Sequence, residues 1–364
     1  MDSTAKDAYW MAKAIQLAKK GRFTTTPNPN VGCVIVKDEQ LVGQGYHIQS
    51  GGSHAEVHAL AEAGAKAEGA TAYVTLEPCS HTGKTPPCAQ ALINAKVARV
   101  VCAMTDPNPL VAGQGLDALR ASGIDVVVGV LEHQAEALNQ GFLKRMRTQT
   151  PFIQVKMAAS LDGGTAMASG ESQWITGPDA RADVQNYRAQ ACAIVTGVGT
   201  ILADDPSMNV RSSQVVRQPV RIILDTHLRT PTTAKLLALP GETVIVHSCA
   251  DNDRIQSFEP SGVSLVNLPM DPSSERISLA AFIDWAGQRY NRLWIEAGAK
   301  LAGCFITEHY ADEVVLYQAP VFLGATAKPV IERDITELAN KIQFTVLDQR
   351  FVGVDVRWVL QPST

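Results

Sequence analysis

The sequence predicts two consecutive α/β domains, each a sheet layered with helices. Three observations carry this. Short apolar runs rich in Val and Ile alternate with segments of helical spacing along the chain. The 364 residues exceed what one domain of roughly 150 residues needs. At Thr148-Gln149-Thr150-Pro151, a basic helix end (Lys144, Arg145, Arg147) meets a Pro that cannot continue it. The boundary is drawn there, with residues 1–148 as the first domain and 149–364 as the second.

In the first domain, Ala8 to Lys19 has helical periodicity and Gly21 supplies its stop. Val31 to Val36 and Leu41 to Gly45 read as a hairpin around Lys37-Asp38-Glu39-Gln40. Gly51-Gly52-Ser53 leads into the apolar positions Ala55, Val57, Ala59 and Leu60, which places His54 near a helix N-terminus. Thr71 to Leu76 is a buried strand that Pro78 stops, so Cys79 begins a loop or the next helix. Pro87 to Ala95 is a helix with Pro at its start. Val97 to Met104 is a strand, Leu116 to Ala121 a helix, Ile124 to Val128 a strand and Glu132 to Arg147 a final helix. In the second domain, strands are expected at Phe152–Met157, Ala193–Val198, Val220–Leu224, Thr243–Val246, Leu293–Ile295 and Val314–Ala319. Helices are expected around Val184–Gln190 and Leu301–His309.

The chemistry concentrates in His54-Ala55-Glu56, Glu77-Pro78-Cys79 and Cys88. Zinc-dependent deaminases hold their metal with one His and two Cys, and a Glu that is not a ligand moves protons. Three protein ligands leave a fourth position for water, the mark of a catalytic rather than a structural centre. Residues two apart do not share a face in mid-helix, but in the first turn His54 and Glu56 can still converge on one axial point. The helix N-terminus also favours thiolate charge there.

Rival readings exist. His54 and His58 are four apart, as in the H-E-x-x-H metalloprotease helix, but the Glu follows the first His by two residues and not one. A closed structural zinc site would need a fourth ligand, His58 or His81, and would leave Glu56 without a role. His47 and His81 read as loop histidines. Cys33, Cys102, Cys192, Cys249 and Cys304 read as small buried apolar residues.

The second half offers weaker signals. Lys156 lies in an apolar strand and is either a site residue or an edge residue facing solvent. Glu296-Ala297-Gly298-Ala299 and Thr196-Gly197-Val198-Gly199-Thr200 are strand-to-helix junctions that present backbone N–H groups to an anion. The glycines at 298 and 303 fit neither G-x-G-x-x-G nor a P-loop. Trp174, between Gln173 and Ile175, reads as core.

A net charge of −4 argues against a broad nucleic-acid or membrane footprint. No apolar run approaches the ~20 residues that span a bilayer. The N-terminus carries no apolar signal core. Seven cysteines, an odd count without framework spacing, suit a reducing compartment and a cytoplasmic location.

Several longer stretches carry a family resemblance. His54-Ala55-Glu56-Val57-His58, the run from Thr75 to Cys88 and Asp106-Pro107-Asn108-Pro109 closely resemble the bifunctional deaminase/reductases of riboflavin biosynthesis. So do Ala159-Ser160-Leu161-Asp162-Gly163, Ser172-Gln173-Trp174-Ile175-Thr176, Leu202-Ala203-Asp204-Asp205-Pro206 and Trp294-Ile295-Glu296-Ala297-Gly298. The resemblance covers nearly the whole chain. Its long Cys79-to-Cys88 loop separates it from deaminases with the closer P-C-x-x-C spacing.

The resemblance implies a cytidine-deaminase-like three-layer α/β/α domain followed by a dihydrofolate-reductase-like α/β domain. The first would deaminate a diaminopyrimidinone ribosylamine 5′-phosphate with one Zn²⁺ per chain. The second would reduce the ribosyl group of the product to ribityl with NADPH. His54, Cys79 and Cys88 would be the zinc ligands and Glu56 the proton shuttle. Asn28 and Lys84 would meet the deaminase substrate. Ala158, Trp174, Thr200, Asp204, Thr226 and the turn Gly298, Ala299, Lys300, Leu301, Ala302, Gly303 and Cys304 would meet NADPH. Lys156, Ser172, Arg188, Met208, Arg211 and Glu296 would meet the reductase substrate, with Arg211 and Arg188 as phosphate partners. The expected partners are phosphorylated pyrimidines and a second copy of the chain in a homodimer, with no nucleic acid and no membrane. Two other classes stay open: a deaminase of another base whose second domain only binds, and a non-catalytic zinc-stabilised module. NADPH oxidation and Glu56-dependent ammonia release would separate them.

Overall fold

The computed structural model describes residues 3–80, 87–108, 111–211 and 217–363. It forms two compact units, Met1–Gln149 and Thr150–Thr364. Among the described residues, no helix is long and apolar enough to cross a membrane.

The first unit runs α1 (Ser3–Ala18), β1 (Gly32–Lys37), β2 (Gln40–Tyr46), α2 (Ala55–Ala63), β3 (Thr71–Val74), α3 (Cys88–Asn94), β4 (Arg99–Cys102), α4 (Gln114–Ala121), β5 (Asp125–Val128), α5 (Glu132–Leu138) and α6 (Gln140–Thr148). Its five strands lie in the order β2-β1-β3-β4-β5. β1 pairs antiparallel with β2 and β3, and β3, β4 and β5 are parallel. Strand alternation divides the side chains between two cores. Cys33, Ile35, Ala72, Val74, Val100 and Cys102 pack under α2, α3 and α4. Val34, Val36, Tyr73 and Val101 pack under α1, α5 and α6. The result is three layers, α/β/α.

Two features of this unit place the chemistry. Gly43 and Gly45 on β2 let α2 lie unusually close, since a Cβ on Gly45 would stand 2.4 Å from the Ala55 carbonyl oxygen and one on Gly43 2.3 Å from that of Ala59. That contact fixes the N-terminus of α2, where His54 is the N-cap. The helix expected over 132–147 is two helices. Asn139 breaks it with φ −123° and ψ 20°, because its buried side chain is recruited elsewhere. Its Oδ1 accepts from the Asn30 N–H at 2.8 Å, and its Nδ2 donates to the Asn30 carbonyl at 3.0 Å. A buried amide satisfied on both sides outweighs continuation of a surface helix.

The second unit contains β6 (Phe152–Ala159), β7 (Gly164–Ala166), α7 (Pro178–Gln190), β8 (Ala193–Gly197), α8 (Val198–Asp204), β9 (Val220–Leu224), β10 (Thr243–His247), α9 (Asn252–Gln256), β11 (Ser264–Asn267), β12 (Met270–Asp271), β13 (Arg276–Ile277) and α10 (Leu279–Gly287). It continues with β14 (Arg292–Glu296), α11 (Ala299–Thr307), β15 (Glu313–Gln318), β16 (Lys328–Pro329), β17 (Phe344–Val352) and β18 (Asp355–Pro362). Nine strands form one sheet in the order β11-β10-β9-β8-β14-β6-β15-β18-β17. The first seven in that order are parallel, and β18 and β17 close the edge antiparallel. One face packs on α10 and α11 through Phe282, Ile283, Phe305 and Ile306. The other packs on α7 and α8 through Val184, Val198, Ile201 and Trp294.

Because β6 pairs with β14 on one side and β15 on the other, Lys156 is not an edge residue. The edge-strand alternative for it therefore falls, and its side chain is half-buried. Adjacent parallel strands β9, β8, β14 and β6 end on one side of the sheet, the side where open α/β sheets bind ligands.

Candidate active sites

In the first unit, the His54 ring and the Cys79 and Cys88 sulfurs place one ligand atom each within 4.8 Å of one another. His54 Nδ1 lies 3.2 Å from Cys88 Sγ and 3.5 Å from Cys79 Sγ. The Cys88 backbone N–H donates to Cys79 Sγ at 3.3 Å. Each residue sits at an element end. His54 caps α2, Cys88 opens α3 after Pro87, and Cys79 follows the buried Glu77-Pro78. The sulfurs interact strongly: the Cys79 thiol is drawn down, first by its hydrogen bond with Cys88, while that same partnership pushes Cys88 up. The closeness of the two sulfurs to the His54 ring suits a soft divalent cation. The donor set of one imidazole and two thiols suits zinc. Among the described residues, no fourth protein ligand joins it, and His58 stands outside the group.

Glu56, in the first turn of α2, is 3% exposed. Burial pushes its carboxyl up to about 7. It is in hydrogen-bond contact with Cys88. The carboxyl thus lies beside the His54, Cys79 and Cys88 group and is not one of its members.

His47 follows β2 in a loop and stands outside the metal-ligand group, as the sequence suggests, but it is buried, with its ring edge-on to His54 at 5.6 Å between centroids. Its Nδ1 lies 3.0 Å from the Ser53 carbonyl and its Nε2 3.3 Å from Asn28 Nδ2. The structure thereby brings Asn28 to the site through a residue that sequence reasoning passed over. No local signal marks His47; only the packing of β2 on α2 does. Glu77 is a second such residue. Its carboxylate accepts backbone N–H groups of Asp106, Gly113 and Gly115 at 3.1, 3.0 and 2.9 Å, tying the Cys79 loop to the start of α4. Gly115 must be glycine there, since a Cβ would stand 2.0 Å from the Pro78 carbonyl oxygen. Lys84 and His81 lie outside the described residues.

In the second unit, the parallel strand ends gather the expected residues. Ala158 is at the end of β6, Thr226 follows β9, Thr200 and Asp204 are on α8 after β8, and Gly298 caps α11 after β14. Ala299, Lys300, Leu301, Ala302, Gly303 and Cys304 form the first turns of α11. Lys156 and Glu296 are direct cross-strand neighbours on β6 and β14. Burial pulls the Lys156 ammonium down, Glu296 opposes this, and Arg188 adds to it.

Arg188 is not a free cation. Its Nε and Nη2 donate to Glu296 Oε1 and Oε2 at 2.6 and 2.7 Å, and its Nη1 to the Asn209 carbonyl at 2.8 Å. Met208 is buried, and Ser172 is half-buried. Arg211 is exposed, its backbone N–H donating to Gln185 Oε1 at 2.9 Å. Trp174 is not core: it is 67% exposed, with the Arg181 guanidinium 4.5 Å from its ring centroid. Cys249 and Cys304 are only half-buried, unlike Cys33, Cys102 and Cys192. Cys304 packs partly against the core, and Arg333 Nη2 donates to its sulfur at 2.6 Å.

Both units match known families. Residues 4–104 match the cytidine and deoxycytidylate deaminase zinc-binding region, and residues 151–351 match the RibD C-terminal domain. The chain is 50% identical over 365 residues to the riboflavin biosynthesis protein RibD of Escherichia coli, covering 96% of this chain and 98% of that one. It is 44% identical over 376 residues to RibD of Haemophilus influenzae, covering 100% and 99%. The solved structure of Acinetobacter baumannii RibD, form 1, superposes with a TM-score of 0.92 at 45% identity over 100% of both chains. A deaminase/reductase from Thermotoga maritima superposes with a TM-score of 0.89 at 30% identity over 99% of both. The three-layer unit is cytidine-deaminase-like and the nine-stranded unit dihydrofolate-reductase-like. The chain therefore belongs to the RibD family of bifunctional riboflavin-biosynthesis deaminase/reductases.

Proposed function

We propose that the first unit hydrolyses the amino group of a diaminopyrimidinone ribosylamine 5′-phosphate, and that the second reduces the ribosyl group of the product to ribityl. The observation that carries this reading is the His54, Cys79 and Cys88 cluster beside the buried Glu56. His54, Cys79 and Cys88 would hold one Zn²⁺, which supplies Lewis acidity that makes a water molecule acidic near neutral pH. Glu56 takes a proton from the attacking water and delivers it to the departing amine; the water oxygen bonds to the ring carbon, the C–N bond breaks, and ammonia leaves a ring carbonyl with the second water proton on the adjacent ring nitrogen. Asn28, held by His47, and Lys84 orient the substrate, Lys84 as a point charge for the phosphate.

In the second unit, Ala158, Trp174, Thr200, Asp204, Thr226 and residues 298–304 would cradle NADPH, which supplies the hydride. The first N–H groups of α11 are free for a phosphate group there. Lys156, Ser172, Met208, Arg211 and Glu296 face the sugar phosphate. The described cysteines form no disulfide, which suits a reducing cytoplasm.

The test is to assay the half-reactions separately on the purified chain. Ammonia release from the diaminopyrimidinone substrate and NADPH oxidation with the deaminated substrate are both expected. Absence of either removes that half of the reading. The phosphate assignment has its own test in Arg211→Ala. Loss of a charge-assisted contact of about 1.5–3 kcal/mol should raise the substrate KM of reduction roughly ten- to a hundred-fold. Deamination and NADPH affinity should not change. An unaltered KM would make Arg211 a solvated surface residue.

A further inference from the structure

Glu77 stands just beyond the end of β3, at the base of the Cys79 turn, and is 4% exposed. Its own N–H donates to the Met104 carbonyl at 3.0 Å, so the chain past β3 stays tied to the chain past its parallel neighbour β4. Its two carboxylate oxygens divide four backbone donors between them. Oε2 accepts from the N–H of Asp106 at 3.1 Å and of Gly113 at 3.0 Å. Oε1 accepts from Gly115 at 2.9 Å and, more weakly, from Leu116 at 3.4 Å, both in the first turn of α4. One oxygen thus joins Asp106 to Gly113. Nearby, Asp106 Oδ1 accepts the Asn108 N–H at 2.9 Å, and the Asn108 carbonyl accepts from Val111 and Ala112, each at 2.9 Å.

We propose that Glu77 is a positioning residue of the deaminase: its carboxylate holds the Asp106–Asn108 turn and the start of α4 against the Cys79 turn, so that the substrate meets a preformed wall beside the metal group. This deepens the reading above and rests on it. Three arguments carry it. Ligands of α/β sheets bind outside the carboxyl ends of parallel strands. The turn after β4 stands at that end beside Cys79, with Gly115 pressed against the Pro78 carbonyl. Hydrogen bonds to a charged acceptor are the strong ones, and here a single group makes four of them, so the turn takes its place from Glu77. The start of α4 also lacks a side-chain cap. Gly113 is its N-cap, at φ 82°, and the buried Gly115 and Leu116 N–H groups would lose their acceptor without the carboxylate.

The experiment uses the full zinc-loaded chain and the variants Glu77→Gln and Glu77→Ala. Gln keeps the size, but its amide nitrogen turns a donor toward N–H groups that need an acceptor. Ala empties the space and leaves the N–H groups around it. Formate can enter that space, and formamide, of similar size and neutral, is the control. Ammonia release gives kcat and KM, and elemental analysis gives zinc content. Hydrogen exchange is followed at the Asp106, Gly113, Gly115 and Leu116 amides. In Glu77→Gln the KM should rise roughly ten- to a hundred-fold, the loss expected when a hydrogen bond to a charged group goes. A site that is only fractionally in its binding form loses apparent affinity by that fraction. The kcat should therefore change little, since the same chemistry follows once substrate is bound. Exchange at the four amides should quicken. Zinc should stay near one per chain, and NADPH-dependent reduction of supplied deaminated substrate should be unchanged. In Glu77→Ala, formate and not formamide should lower the KM again, measured against wild type in the same additive.

Unchanged kcat and KM in a Glu77→Gln chain that is merely less stable would make Glu77 a scaffold residue and overturn the proposal. Loss of zinc would overturn it too, because Cys79 and not the turn would then be what Glu77 holds. Equal recovery with formate and formamide would show that Glu77 only fills space. Should Glu77→Ala fail to fold, Glu77→Gln still decides through its KM and its amide exchange. A wild-type chain that releases no ammonia would instead defeat the underlying functional reading.

Discussion

Replacing Glu56 with Gln should cut ammonia release by at least about 10²–10⁴-fold, the range that a positioned general acid–base group supplies. The upper end is expected, because one carboxyl serves both the attacking water and the departing amine. The substitution is nearly isosteric, and the site is 3% exposed in the first turn of α2, so the amide fills the same space. Glu56 is not one of the three side chains grouped for a metal, so zinc content should stay near one per chain. Reduction of supplied deaminated substrate should be unchanged, since every residue assigned to it lies in the other unit. Ammonia release close to wild type would end the proton-shuttle assignment. A parallel loss of metal would move Glu56 into the ligand set.

The first site was legible in the sequence because its residues sit where local signals are strongest. Gly51-Gly52-Ser53 before an apolar run announces the start of α2, and Pro78 and Pro87 bracket the ligand loop. Two neighbours were not legible, for a physical reason. His47 reaches His54 only because Gly43 and Gly45 let α2 settle on β2. Glu77 acts on backbone N–H groups from Asp106 to Gly115 that no spacing rule connects to it. The second site is assembled from the ends of β6, β8, β9 and β14, so its residues share an edge of the sheet and no stretch of sequence. Only the family resemblance collected them.

Where the expectations failed, a tertiary contact outweighed a local pattern. The helical spacing over 132–147 runs through Asn139, but the pairing of that side chain with Asn30 breaks the helix. Trp174 has an apolar neighbour in Ile175, yet its ring lies outside, against Arg181. The edge strand β17 escaped notice because three of its outward positions are apolar. Val346, Leu347 and Phe351 are 53%, 50% and 79% exposed, which erases the alternation that marks a half-buried strand. The pairing of Arg188 with Glu296, which the sequence does not announce, became visible only once α7 lay on the sheet.

Cys79→Ser should abolish stoichiometric zinc and, with it, deamination. Thiolate is the ligand here that favours a soft cation, and a serine hydroxyl stays protonated near neutral pH. The fold should tolerate the change. Cys79 Sγ accepts the Cys88 backbone N–H at 3.3 Å, a role that a hydroxyl oxygen can take over. The loop also remains anchored by the three bonds from Glu77 to the region before and within α4. The expected signature is therefore a folded chain, little metal by elemental analysis, no ammonia release and undiminished NADPH-dependent reduction of supplied deaminated substrate. Cys88→Ser should behave alike, since both sulfurs flank the same His54 nitrogen. Among the described residues, no further side chain stands within the group to replace a lost sulfur. Full metal retention in either variant would refute this ligand set and send the search to His58 or His81.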